Sequence, residues 1–329
     1  MAYMFALLAL LSTACLQAKT LKVMQYNAEN FFDTKYDEGT DDYTYLPLSV
    51  KKELPGHQEK CEALGKPHMY DCLNMDWNET VFSKKLQNIA KVIKTFNPDV
   101  LVMEEIENIN VLNQLVSNGL SGMGYTQVLL IEGDDSRGID VGIISKYPIK
   151  SSKHHSIFSG GKKLNTRGIT EATLDVNGET VVIFGNHWPS QNNPVAHRVD
   201  AAKLLEKIAD AKKGDLILAM GDFNVIAHDS PYPFTYLSNF TDSEAEARKI
   251  RTDIHPGTQY FRGQWSSLDK IFIHRNSTLK ADFNSYKIII NDFQMERDPK
   301  TGMMAPKRFN IKSGDGYSDH LPVGLEFTL

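Results

Sequence analysis

Cysteine is scarce in this chain. Only three occur in 329 residues, and Cys15 falls in the apolar opening segment. The two left, Cys61 and Cys72, have no His or Cys partners at zinc-binding spacing, which excludes a structural zinc cluster. They are an even pair in a chain with a secretory-type start, so a disulfide is expected. Basic charge is not in excess either. Lys and Arg number 36 against 41 Asp and Glu, a net charge of −5. That excludes a broadly basic nucleic-acid coat and leaves room for a local basic groove. Beyond residue 18 no run is long and apolar enough to cross a membrane. No period of 20 to 50 residues recurs, which excludes a solenoid or propeller.

Charge is also missing from Met1 to Ala18, a stretch rich in Leu and Ala. Its length and polar sequel fit a secretory signal peptide over residues 1–18, although the usual Lys or Arg before the apolar core is absent. The expectation is a secreted or periplasmic protein with one domain over 19–329. Ser12-Thr13-Ala14-Cys15 is an imperfect lipoprotein cleavage site, with Ser where Leu is usual. Anchoring through Cys15 is therefore the lesser alternative.

Five apolar runs lead into chemically capable residues. Leu21–Tyr26 leads to Asn27 and Glu29, and Val100–Met103 to Glu104, Glu105, Glu107 and Asn108. Val181–Phe184 leads to Asn186 and His187, and Leu216–Met220 to Gly221-Asp222-Phe223-Asn224. Ser318-Asp319-His320 immediately precedes Leu321-Pro322-Val323. Short continuous apolar runs read as strands buried on both faces. Acids are almost never fully buried unless paired, so polar clusters at the ends of such strands point to one shared site.

Helices are expected at Ser83–Phe96 with Ser83 as N-cap, at Val111–Leu120, and at Val195–Lys212 ended by Gly214. Further strands are expected at 126–131, 141–145, 170–176, 270–273, 286–290 and 321–327. Asn177-Gly178 marks a hairpin. Asp33 to Pro67, extending to about residue 78, reads as an irregular polar insertion. Its acids Asp37, Glu38, Asp41 and Asp42 lack a calcium-loop pattern and read as a solvated loop. The basic stretch 297–312 reads as a charged surface loop that could follow a phosphate backbone, as could Arg137, Arg167 and Arg198 if they line the cleft. The fold class expected is α/β, with two stacked sheets and helices outside.

The clusters suit phosphate-ester hydrolysis, which needs a hard cation, a base for water and donors to the phosphate. Glu105 suits Mg²⁺. Asp222 and Asn224, two apart, can align on one target, the first orienting water and the second donating to phosphate. His320 and His187 are the candidate acid–base groups, with Asp269 as the carboxylate that orients one of them. The other eight histidines, His197 among them, read as structural.

Together Asn27-x-Glu29-Asn30, Glu105-Ile106-Glu107-Asn108, Arg137-Gly138-Ile139-Asp140, Asn186-His187-Trp188-Pro189-Ser190, Gly221-Asp222-Phe223-Asn224, Leu268-Asp269 and Ser318-Asp319-His320 occur in order. This series resembles the endonuclease/exonuclease/phosphatase superfamily, and looks most like its secreted bacterial nuclease-like branch. The resemblance implies a four-layer sandwich of two stacked mixed β-sheets flanked by helices. It implies Glu105 as ligand of Mg²⁺ (or Mn²⁺ or Ca²⁺), with Asp319 completing the metal network. It implies Asp222 and Asn224 positioning nucleophile and phosphate, His320 paired with Asp269 as base, and His187 on the phosphate or leaving group. Asn27, Asn186 and Arg137 would join Asn224 in holding substrate phosphate. Glu104 stands where the family often has Gln, which leaves one metal or two open. The expectation is a monomeric, secreted endonuclease acting on nucleic acid without a stable protein partner. The alternatives are a sphingomyelinase-type phospholipase C or phosphomonoesterase, and a non-catalytic binding module.

Export has a direct check. Mass spectrometry of protein recovered outside the cytoplasm should find a chain shortened at about Ala18. A full-length chain there would sink the signal-peptide reading.

Overall fold

Period-two alternation explains the layers. In the strand Thr20–Phe31 (β1), Leu21 and Val23 turn one way and Met24 and Tyr26 the other. The same split separates Val100 and Val102 from Leu101 and Met103 in Val100–Ile106 (β2). One set packs against the opposite sheet, and the other against helices. Each strand is therefore apolar on both faces.

The computed structural model describes residues 19–329; the expected signal segment and Cys15 lie outside the described residues. The first sheet adds Gln127–Leu130 (β3), Asp140–Ser145 (β4), Lys280–Ile288 (β11) and Val323–Thr328 (β12), in the order β11-β12-β1-β2-β4-β3. The second contains Ile149–His155 (β5), Ile169–Val176 (β6), Glu179–His187 (β7), Leu216–Asp222 (β8), Phe240–Asp242 (β9) and Asp269–His274 (β10), in the order β9-β10-β8-β7-β6-β5. Both are mixed: β1 runs parallel to β2 and β8 parallel to β7, while β1–β12 and β8–β10 are antiparallel. Between the sheets lie Val23, Val102 and Ile143 against Ile183, Leu218 and Met220.

Outside the first sheet packs the helix Glu79–Phe96 (α4), through Leu86, Ile89, Ala90 and Ile93. Asn78, not Ser83, caps it, accepting from the N–H groups of Thr80 and Val81. Asn97, left-handed at φ 53°, ends it before Pro98. Asn108 likewise caps Ile109–Gln114 (α5), which runs on as a π-turn over Leu115–Gly119. Against the second sheet lies Val195–Asp210 (α6), through Ala202 and Leu205. It stops at Ala211, so Gly214 is not its terminator. Gly214 instead lets the backbone pass Thr180, where a Cβ would sit 3.1 Å from a carbonyl oxygen. Ser243–Ile250 (α7), capped by Asp242, was not expected from the sequence.

The insertion is ordered, which corrects the irregular reading. It contains Leu48–Glu53 (α1), His57–Ala63 (α2) and His68–Asn74 (α3). These helices are too short and polar to show a 3.6-residue apolar repeat. Cys61 and Cys72 are bridged, joining α2 to α3, so the adjacent His57 has no thiolate partners for a metal. Trp77, fully buried, donates its indole N–H to the Phe32 carbonyl at 3.0 Å and fixes the insertion to the end of β1. Gln259–Phe261 and Gln264–Ser266 form a two-stranded ribbon separate from both six-stranded sheets. Among the described residues no helix is long and apolar enough to cross a membrane.

At Gly221 two parallel strands come too close for a side chain. Its φ is 137°, and a Cβ would collide with the Asn186 carbonyl. Gly221→Ala should therefore lower unfolding free energy by about 3 kcal/mol in urea titrations. A loss under about 0.5 kcal/mol would show that β7 and β8 separate without strain.

Candidate active site

The face that the alternation turns inward ends in polar groups. Leu216, Leu218 and Met220 of β8 are followed on that face by Asp222, and Val181 and Ile183 of β7 by His187. On β10 the residue two before Ile271 is Asp269. Register then sets these side by side: Asp222 pairs with His187 across one ladder and with Asp269 across the other. From the first sheet Asn27 is level with Glu104. The site thus caps the apolar layer between the sheets.

Glu104 follows the alternation and is buried between the sheets, with neither oxygen hydrogen-bonded. Burial, with Asp269 and Asp222 nearby, pushes its carboxyl well above the usual range. It lies behind the site, where burial favours its neutral form. Glu105 escapes that layer because the ladder is interrupted between Met103 and Ile106 and its backbone is left-handed, φ 60°. Such backbone is costly for a residue other than Gly or Asn. Its carboxylate accepts from Asn30 N–H at 2.8 Å and from the Asn27 amide at 3.4 Å.

Asp222 is the centre. It accepts from the Asn224 N–H at 2.8 Å and from the amides of Asn224 and Asn27, each at 3.2 Å. His187 Nε2 is 3.6 Å away and His320 Nε2 4.0 Å. Burial pushes the Asp222 carboxyl up to about 7, with His320 opposing and Asp269 adding to the rise. His320 Nδ1 is 2.7 Å from Asp269, whose N–H and that of Leu268 both point to the Thr258 hydroxyl. Burial opposes charge on His320, but Asp269, Asp319 and Asp222 outweigh it and hold its pKa well above the usual value. His187 is the opposite case. Burial, then Arg167, Arg137 and His320, push it well below the usual value, so its ring is neutral.

Not every expected residue reaches the gap. The Asn186 amide donates to the Phe184 and Met220 carbonyls and its oxygen accepts from Trp188 Nε1, so no donor remains for phosphate. That corrects its assignment as a phosphate ligand. Asn186 fixes the strand behind His187. Arg198 is buried against Asp229 and three loop carbonyls. Arg137 and Arg167 share Asp135, with Arg137 half exposed at the rim. Asp319 lies 3.5 Å from Arg308 and 3.9 Å from His320 Nε2. Three of the eight histidines expected to be structural have partners of their own: His274 with Asp210, His155 with Glu171 and His255 with the Gly257 carbonyl.

Sequence reading missed a supporting shell. Glu29 accepts from Asp319 N–H at 2.9 Å and pairs with Arg308 at 2.5 Å. Burial, then Asp319, push its carboxyl up to about 7, against Lys85 and Arg308. Lys85 donates to the Glu29 carbonyl at 2.5 Å from the apolar face of α4. A lysine in step with Phe82, Leu86 and Ile89 was the available signal. Ser318 Oγ donates to the Asn27 carbonyl at 2.7 Å and accepts from His320 N–H at 3.0 Å, joining the first and last motifs.

Two face-to-face mixed sheets, with acids, amides and two imidazoles gathered at one end, define an α/β sandwich hydrolase fold. The chain belongs to the Endonuclease/Exonuclease/phosphatase family, whose model matches residues 66–328. Among solved structures it is similar to D. rerio TDP2 complexed with a single strand DNA product, at 14% identity and TM-score 0.56, covering 94% of this chain and 99% of that one. Staphylococcus aureus beta toxin 275-280 shows 18% identity and TM-score 0.55, over 93% and 99% of the two chains. A Bacteroides thetaiotaomicron mannosyl-6-phosphatase shows 16% identity and TM-score 0.56, over 94% and 100%. No curated protein sequence matches.

The two imidazoles should titrate in opposite directions. NMR of the metal-free protein should find His320 charged at pH 7 and His187 neutral. Asp269→Asn should lower the His320 pKa, because it removes the nearest carboxylate. An unchanged His320 titration in that variant would break the assignment of the pair.

Proposed function

We propose that this chain is a metal-dependent phosphoric ester hydrolase that cleaves nucleic-acid phosphodiesters outside the cytoplasm, as a monomer. One observation carries it: His320, held by Asp269 at 2.7 Å, turns Nε2 to the gap that also contains Asp222, His187 and Glu105. The Glu105 carboxylate, 21% exposed, has no Lys or Arg partner among the described residues, and the nearest acid to it across the gap is Asp222, which shares the Asn27 amide with it. That donor set fits a hard cation. Glu105, with Asn27 and Asp319 nearby, would hold Mg²⁺ (or Mn²⁺ or Ca²⁺), which when bound supplies neutralisation of phosphate charge.

The chain's own groups do the rest. His320, once neutral, takes a proton from water at Nε2, and Asp269 stabilises the imidazolium formed. Asp222 orients that water. His187 turns Nε2 to Asp222 and Glu105, and with its proton there it offers a donor to a phosphate oxygen. Asn224 does the same by trading its bond to Asp222. Because the surrounding carboxylates raise the His320 pKa, the rate should rise with pH through that pKa.

Two features support nucleic acid. Arg137 lies at the rim and Arg308 beside Asp319, both able to meet backbone phosphates. The similar TDP2 fold was solved with single-stranded DNA product. A sphingomyelinase-type phospholipase C is the second reading, favoured by the ribbon at Gln259–Ser266. Its Phe261 is 61% exposed, and Gln259 bridges to His320.

Chelation should abolish turnover, and Mg²⁺ or Mn²⁺ should restore it. His320→Ala and His187→Ala should each lower kcat by at least about 10²-fold, and His197→Ala should leave it near wild type. Plasmid DNA and RNA should be cut, with binding that weakens steeply as salt rises. Release of phosphocholine from sphingomyelin vesicles without nucleic-acid cleavage would replace this reading with the second.

A further inference from the structure

Beside the gap, the insertion and the segment before Ser318-Asp319-His320 enclose a cavity of about 300 Å³. Glu29, Asn30 and Arg308 line one end of it. All three already belong to the site. Asn30 gives its N–H to Glu105 at 2.8 Å, and Arg308 lies 3.5 Å from Asp319. The cavity therefore abuts the gap where phosphate would sit. Its other end is apolar and is lined by Tyr45, Met75 and Phe309.

The two rings are held firmly. Trp77, fully buried, meets Tyr45 at 5.3 Å and Phe309 at 5.9 Å between ring centroids, edge to face in both cases. Tyr45 also stacks on Phe32 at 4.5 Å. Contacts of this kind fix the ring planes. Yet Tyr45 and Phe309 are only half-buried. Rings that served the core alone would be covered on all sides. Arg308 stands at the mouth. Glu29 holds its guanidinium along one edge, through Nε at 2.7 Å and Nη2 at 2.5 Å. A guanidinium pinned at its edge keeps its planar face free to stack.

We propose that this cavity is a nucleobase subsite, which receives the base of a nucleotide next to the scissile phosphate and stacks it on Tyr45, Phe309 and the Arg308 plane. The subsite rests on the nucleic-acid substrate proposed above. Every base has a π face, so stacking grips any sequence. A cavity of this size is at the lower end of small-ligand sites, which suits one planar ring system. A quaternary ammonium, the other ligand that aromatic rings attract, is disfavoured here. Lys85 Nζ already lies over the Phe309 ring at 5.2 Å, and Arg308 brings a second cation. Tyr45 belongs to the insertion, whereas Phe309 lies shortly before His320, so the two walls come from opposite ends of the chain. A base seated between them would hold its own phosphate at the gap, and the subsite would act through KM.

The test uses an oligodeoxynucleotide with a single cleavable phosphodiester, its other linkages being methylphosphonates. In two further copies an abasic sugar replaces the base immediately upstream or immediately downstream of that bond. With wild type, one of these copies should show a KM at least about fivefold above that of the intact oligonucleotide, the scale for losing one base stack. Phe309→Leu and Tyr45→Leu keep apolar volume but remove a π face. Each should raise KM for the intact oligonucleotide and narrow its advantage over that abasic copy. A ring that mattered only to the core would weaken both substrates alike and leave the advantage standing. Ile311→Phe, which fills the cavity from its own lining, should also remove the advantage, and it reads the subsite if the leucine variants do not fold. The subsite is refuted if wild type cuts all three oligonucleotides with one KM, or if the variants keep the full wild-type advantage. Either result leaves the nuclease reading in place. If wild type cuts none of the three, that reading fails and the subsite falls with it.

Discussion

A carboxylate taken out of water must be given donors, and at Asp222 that requirement organises everything around it. Asp222 is 2% exposed and answers to Asn27 from one sheet, Asn224 from its own turn, and two imidazoles within 4.0 Å. The low dielectric that makes it costly also strengthens each of these contacts. Asn27 can serve both Asp222 and Glu105 only because its oxygen is already committed to Glu29 N–H, which sets the amide. The left-handed backbones at Glu29, Glu105 and Asn224 are the local cost of aiming three segments at one gap.

The same logic gives the histidines unequal roles. His320 has a fixed carboxylate on its far nitrogen, and so is built to carry charge. His187 Nδ1 is buried without a partner, and the charges of Arg167 and Arg137 add to burial in disfavouring its cation. One ring is therefore poised to become cationic and the other to stay neutral. Asp135, holding Arg137 and Arg167 together, sets this difference from the rim.

The motifs at strand ends were legible because abrupt change from apolar to polar is visible in one dimension. Period two even places Asp222 and His187 on the inner face. It holds at Glu104, which stays on the inner face, and fails at Glu105, where the ladder is interrupted and a left-handed backbone turns the side chain to the gap. Asn186 misled because a motif shows a residue's presence and not which way its amide is spent. Asn78 displaced Ser83 as cap because both can accept from backbone N–H groups, and only the tertiary start of α4 decides between them. Arg308 with Glu29 and Ser318 with Asn27 were invisible for a plainer reason. They join positions 279 and 291 residues apart.

That last pairing has a consequence during synthesis. β1, which supplies Asn27, lies between β2 and β12, and β12 follows directly on His320. Until β12 emerges, β1 has an open edge and His320 is not in place. No nascent chain can assemble the reaction centre, however much of it has already folded. The gap therefore takes shape only when β12 closes the sheet beside β1.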